Sequence, residues 1–300
     1  MGAEDVQRGW ARAVWSRKTV AAIGVTGVVV ASLGVGAADA QQEPTGFAEL
    51  PVGEWLGNGR AAGLSTTSGE GVAIAGLHWL LAAPAGLSIT STDEETSRLT
   101  REVGRRLLDL CAELGGSYLV HGSPQQRMLP PGREAEGRAR GIAYFAAIAE
   151  EAEAAGLVYV IEPLSRLDTA FVTTVDEALA IIREIGSPAL KTMVDCYATA
   201  ANDEDVPGLL DRHLASSDIF HVHFNDDDKR GPGEGGIDFA AVLAALQRHG
   251  YAGAAAVEPF VYLPDGPACA ARAIGYLRGI EAGLRDAAES VAGPIAEPSG

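Results

Sequence analysis

Four ionisable residues stand at matching places along this chain: Glu162 in "VYVIEPL", Asp195 in "KTMVDCY", His223 in "HVHFNDDD" and Glu258 in "AAVEPF". Each interrupts an apolar run near its C-terminal end, and each glutamate is followed by proline. Two Glu, one Asp and one His make an oxygen-rich ligand set with a single nitrogen. Such a set suits Mn2+, Mg2+ or Co2+ better than a structural zinc site. Three carboxylates gathered without a cation would repel one another and lose their hydration. Any one of these residues alone reads as structural. Four at equivalent positions on consecutive runs read as one site for one divalent metal ion, with Mn2+ the first expectation and Mg2+ or Co2+ the alternatives.

Other polar residues fall at similar places. His78 and Trp79 in "GLHWLL" and His121 in "LVHGSP" lie at run ends and are candidates to line a substrate pocket. Trp79 also fits a packing role, and His121 a hydrogen-bonded turn. His221 shares a side of its run with His223 by the period of two. His249 precedes Gly250 at a helix end, where capping is the expected role.

These residues need elements to hold them. From about residue 70 the pattern is regular. Short apolar runs at 72–81, 117–124, 157–164, 189–197, 218–226 and 253–260 read as strands buried on both faces. Helical spacing with start and stop signals covers 91–114, 134–156, 174–188, 205–215, 237–250 and 266–284. Six strand–helix units in strict alternation call for parallel strands with right-handed crossovers. Doubly wound sheets and (β/α)8 barrels both satisfy that alternation. In a barrel the C-terminal strand ends surround one mouth, whereas an open sheet would spread four of them along a line. The reading is therefore an α/β fold, a (β/α)8 TIM barrel with atypical or incomplete first two units.

Composition narrows the partners. The chain has 300 residues, 47% of them apolar, and a formal charge of −17, which opposes a phosphate-backbone partner and excludes nucleic-acid binding from the expectations. Cys111, Cys196 and Cys269 are widely spaced, and they make neither a disulfide framework nor a metal knuckle. Residues 1–40 form a signal-like or anchor segment. Arg17 and Lys18 precede an apolar stretch that ends in Ala38-Asp39-Ala40. A membrane contact follows only if residues 19–37 act as an anchor. Residues 41–70 are an atypical N-terminal segment, 71–288 the barrel, and 289–300 a disordered tail. The location is cytoplasmic if 19–37 belong to the fold, and exported or membrane-tethered if they are a signal.

The segments "IEPLSRLDTAFVTT", "KTMVDCY", "HVHFNDDDKRGPGEGGIDFAAVLAALQRHGYAG" and "AVEPF" resemble the xylose-isomerase-like TIM-barrel superfamily, most closely its sugar phosphate isomerase/epimerase branch of ketose 3-epimerases and hydroxypyruvate isomerases. The resemblance spans roughly residues 70–285. It implies that Glu162, Asp195, His223 and Glu258 hold the metal and that Glu162 and Glu258 form an acid/base pair. Isomerisation or epimerisation would then proceed by proton abstraction beside a carbonyl. It further implies substrate contacts at Asp168 and Lys229, with Arg230 beside the latter. The expected partner is a small-molecule sugar or hydroxy-keto acid.

Two departures qualify the match. Ala198 stands where many epimerases carry a substrate-holding histidine. The front of the chain shows no pattern for strands one and two, and about thirty residues after a removed signal cannot supply two units. An open barrel exposes strand edges, so a homo-oligomer is expected. A keto-sugar dehydratase or lyase is the alternative enzyme reading, and a catalytically degenerate sugar-binding barrel the alternative outside enzymes.

Overall fold

The computed structural model describes residues 29–32 and 74–292. Seven strands form one sheet in chain order: β1 (Val29–Ser32), β2 (Ile74–His78), β3 (Tyr118–His121), β4 (Val158–Ile161), β5 (Leu190–Asp195), β6 (Ile219–Phe224) and β7 (Ala254–Val257). The pairings from β1 to β5 are parallel. Helices α1 (Glu94–Glu113), α2 (Glu134–Ala155), α3 (Val175–Ile185), α4 (Cys196–Ala201), α5 (Val206–His213), α6 (Phe239–Arg248) and α7 (Gly266–Ala292) alternate with the strands. This is the expected alternation.

The helices begin where their sequences supply a cap. Asp93 accepts from Thr96 N, Thr174 from Glu177 N, Asp205 from Gly208 N and Asp238 from Ala241 N, each satisfying a first-turn amide. Gly156 and Gly186 close α2 and α3 in the left-handed region, at φ 69° and 73°.

Two compact units divide the chain. The first holds the described residues up to Asp195 together with Asp218–Val222 and Ala252–Ala256. Its strands are buried on both faces, as parallel strands require. Leu119, Tyr159 and Ile161 pack with helix residues Leu107, Phe145, Ile148 and Ile182, while Tyr118, Val120, Val158, Val160 and Met193 form a separate layer. Residues alternate along β3 and β4 between these two layers, so the register of each strand is pinned.

The second unit holds Cys196–Ser217, His223–Tyr251 and the chain from Val257. Phe224 meets Phe239 edge-on at 5.9 Å, and Phe239 meets Tyr276 of α7 at 6.3 Å. His249 closes α6 as expected, and its Nε2 lies 2.9 Å from Asp211 of α5.

Most of the signal-like segment 1–40, all of 41–70 and the last part of the tail lie outside the described residues. β1 falls inside the first of these, within the stretch 19–37 whose membership of the fold was one of the two expectations. Helix α7 continues to Ala292. Among the described residues no helix is long and apolar enough to cross a membrane.

Candidate active site

Each candidate ligand sits at a strand's C-terminal end. His78 and Asp195 are the last residues of β2 and β5, His223 is next to last in β6, and Glu162 and Glu258 each follow their strand by one residue. All but Glu258 are buried.

In the first unit, His78 Nε2 lies 3.1 Å from Glu162 Oε2, and both side chains are nearly inaccessible. Three backbone features fix Glu162. Its N–H donates to the carbonyl of His121, the last residue of β3, at 3.3 Å. Its carbonyl accepts from Arg127 Nη2 at 2.7 Å. Pro163 then restricts Glu162 to extended backbone. The carboxylate occupies the space that glycine leaves open: a Cβ on Gly122 would overlap it and stand 2.7 Å from His78 Nε2. Asp195 is buried at the end of β5.

Directly beyond His78 the chain turns sharply. Trp79 and Leu81 take left-handed backbone, at φ 56° and 63°, which non-glycine residues adopt at a cost of about 1–3 kcal/mol each. β2 therefore stops at His78, although the apolar run continues to Leu81. Trp79 is half-buried, its ring 6.4 Å from that of His78.

His121 is fully buried. Its Nδ1 lies 2.7 Å from the Tyr159 hydroxyl, and its ring meets Phe145 edge-on at 5.5 Å. It packs between β4 and helix α2, a setting closed to solvent. Burial first, and then the charge of Arg127, hold its imidazole well below the usual histidine range, so it is neutral. Burial likewise pulls Arg127 down to about 10, with Glu162 the largest opposing influence, and Arg127 stays charged at neutral pH. His221, also fully buried, stacks obliquely on Tyr118 at 5.1 Å.

In the second unit the same local design recurs. Glu258 donates its N–H to the carbonyl of Phe224, the last residue of β6, at 3.1 Å and is followed by Pro259. Its Oε2 lies 2.8 Å from His223 Nδ1. The chain beyond is tied to a polar loop, because Phe260 and Val261 both donate to the carbonyl of Lys229. Lys229 has φ 67°, and its ammonium sits 4.8 Å above the Tyr197 ring.

The loop is organised by Asp226, a buried residue that the "DDD" run gave no reason to separate from its neighbours. Its carboxylate accepts from the amides of Asp227, Gly233 and Ile237. Arg230 pairs with Asp228 and bonds the carbonyl of Glu234. It is engaged with its own loop. Asp168 lies half-buried in the turn after Glu162, its amide bonded to the carbonyl of Ser165 at 2.9 Å. Arg127, Gly122 and Asp226 are the structural contributors that sequence reasoning passed over.

Known proteins place this architecture. L-ribulose 3-epimerase of Mesorhizobium japonicum is 30% identical over 195 residues, 64% of this chain and 63% of that protein. A ketose 3-epimerase of Arthrobacter globiformis is 29% identical over 194 residues, 61% of this chain and 65% of the relative. The matches thus span less than two thirds of either relative's length. A solved L-ribulose 3-epimerase structure shares the fold, with a TM-score of 0.65 over 82% of this chain and 94% of that one, at 23% identity. The model of one family, described as xylose isomerase-like TIM barrel, matches residues 20–280, and this chain belongs to that family.

Proposed function

We propose that this chain is a divalent-metal-dependent isomerase or epimerase of a ketose or related hydroxy-keto compound, with Glu162 and Glu258 as its proton-transfer pair. One observation carries the reading: the same device is built twice. A strand end, a glutamate one residue beyond it, a following proline and a histidine beside the carboxylate occur at β4 and again at β7.

The side chains suit the cofactor. His78, Glu162, His223 and Glu258 can each offer one ligand atom, two imidazole nitrogens and two carboxylate oxygens. Carboxylates favour Mn2+ or Mg2+, and imidazoles draw the set toward transition ions, so Mn2+ or Co2+ fits better than Mg2+. Asp195, buried at the end of β5, is the ligand that the family resemblance adds. H78N and D195N separate these two candidates, because the true ligand loses the ion when replaced. When bound, such an ion stabilises negative charge developing on the substrate's carbonyl and neighbouring hydroxyl oxygens.

The chain's own residues do the rest. One glutamate accepts the proton from the carbon beside the carbonyl, and the other delivers a proton. Return to the opposite face inverts that centre, whereas delivery to the neighbouring carbon moves the carbonyl. Before an ion binds, His78 and His223 hold the two carboxylates in place through their ring nitrogens. Asp168, Lys229, Arg230 and Trp79 are the proposed substrate contacts. Because the relatives are named for L-ribulose and for ketoses, these are the first substrates to try.

The experiment is deuterium incorporation. The protein is incubated with Mn2+ and a ketose panel in D2O, and NMR is read at the carbon beside the carbonyl. Label in the parent, reduced about 10²–10⁴-fold in E162Q and E258Q, is the expected outcome. No exchange with any ketose would falsify the enzyme reading.

A further inference from the structure

Arg127 has surroundings that packing does not explain. Its side chain is fully buried, at 0% exposure, in the short turn Gln125–Arg127 after β3. It makes one hydrogen bond, from Nη2 to the carbonyl of Glu162, while Nε and Nη1 find no hydrogen-bond partner among the described residues. A buried guanidinium with unfilled donors is costly, and an apolar side chain of similar volume would fill the space without that cost. What methionine or leucine cannot do is grip a carbonyl.

The carbonyl in question belongs to the residue whose side chain matters most. Glu162 stands just beyond the β4 ladder, where the peptide plane is free to rotate unless something holds it. Its N–H is tied to His121 and Pro163 sets the backbone region, which leaves the carbonyl as the remaining loose end. The corresponding exit at Glu258 has the same amide bond and the same proline.

We infer that Arg127 is a positioning residue: by holding the carbonyl of Glu162 it aims that carboxylate into the gap beside Gly122 and onto His78. Resting on the metal-dependent reading above, the inference assigns Arg127 a role in ion affinity rather than in fold stability.

The test uses the full-length protein and two measurements: Mn2+ binding by calorimetry, and the melting temperature of the metal-free form. R127M, which also strands the carbonyl of Glu162, is expected to stay folded with a melting temperature a few degrees below the parent's while its Mn2+ affinity falls tenfold or more. R127K keeps a donor and the charge, and should stay within about threefold of the parent. A metal-free R127M that fails to fold, or an R127K that loses as much Mn2+ affinity as R127M, makes Arg127 structural and overturns the inference. Parent binding matched by R127M overturns it while leaving the function standing. No Mn2+ binding by the parent overturns both.

Discussion

The two Glu-Pro exits are built alike and supported differently. At β4 the glutamate has buried His78 and His121 and a buried arginine on its carbonyl, with half-buried Gly122 beside its carboxylate. At β7 the strand is only partly covered, the Glu258 side chain keeps 16% of its exposure, and the next residues hang on the carbonyl of an exposed lysine. The first exit is pinned by the core. The second is pinned by a loop, and loops open at lower free-energy cost than cores.

The comparison breaks most sharply at Gly122. In G122A the new methyl group must displace the Glu162 carboxylate, and His78 Nε2 stands 2.7 Å away on the same side. Overpacking of this kind costs about 1–3 kcal/mol of stability. The expected result is a folded protein with at least a hundredfold loss of Mn2+ affinity and of deuterium exchange. Parent-like exchange in G122A would mean that the buried exit is softer than its packing implies.

At the loop-held exit the matching perturbation is D226A. It strands three amides that the carboxylate now satisfies, those of Asp227, Gly233 and Ile237. Leaving such groups unpaired costs about 1–3 kcal/mol, read as a lower melting temperature. Because the loop carries Lys229 rather than a ligand, KM should rise more than Mn2+ affinity falls. Equal losses in both would show that the loop governs the metal side as well.

Much of this was legible in the sequence, and the limits have physical causes. Strand ends were readable because parallel strands are apolar throughout, so Glu162, Asp195, His223 and Glu258 stand out against them. Helix starts were readable because Asp93, Thr174, Asp205 and Asp238 are caps of ordinary type. The end of β2 was not, since Trp79 turns the backbone while Leu80 and Leu81 remain buried, and burial is all that an apolar run reports. The bond between His78 and Glu162 joins residues 84 apart, and nothing local encodes it. Arg127 was missed because arginine is almost always exposed, and Asp226 because it hides among exposed aspartates.

Lys229 offers a gentler probe of the adaptable exit. Its ammonium rests on the Tyr197 face in an exposed setting, where a cation–π contact is worth about 0.5–1 kcal/mol. K229A should therefore leave the melting temperature nearly unchanged and raise KM several-fold at constant Mn2+ affinity. An unchanged KM would remove Lys229 from the substrate contacts.

The smallest perturbation leaves function untouched and reads rigidity directly, through two native thiols. Cys111 lies behind β2 and β3 with its thiol donating to the carbonyl of Tyr118, and burial pushes it up to about 12. Cys269 lies in the first turn of the long helix α7, buried beneath a thin cover, its thiol directed at the carbonyl of Leu263, and Tyr262 and Leu263 beside it are exposed. Alkylation at pH 8, followed by peptide mass spectrometry, should label Cys269 first. Cys111 has a thiolate fraction of roughly 10⁻⁴ at that pH and is reached only when the core opens. The sign of the pH effect follows from the same shift. The folded state keeps the Cys111 proton between the ordinary value near 9 and about 12, whereas the unfolded chain loses it, so the associated stability is intact below pH 9 and declines as pH rises through that window. Equal labelling of the two thiols would mean that the interior behind His78 opens as readily as the loop side, and the contrast between the two exits would lose its dynamic basis.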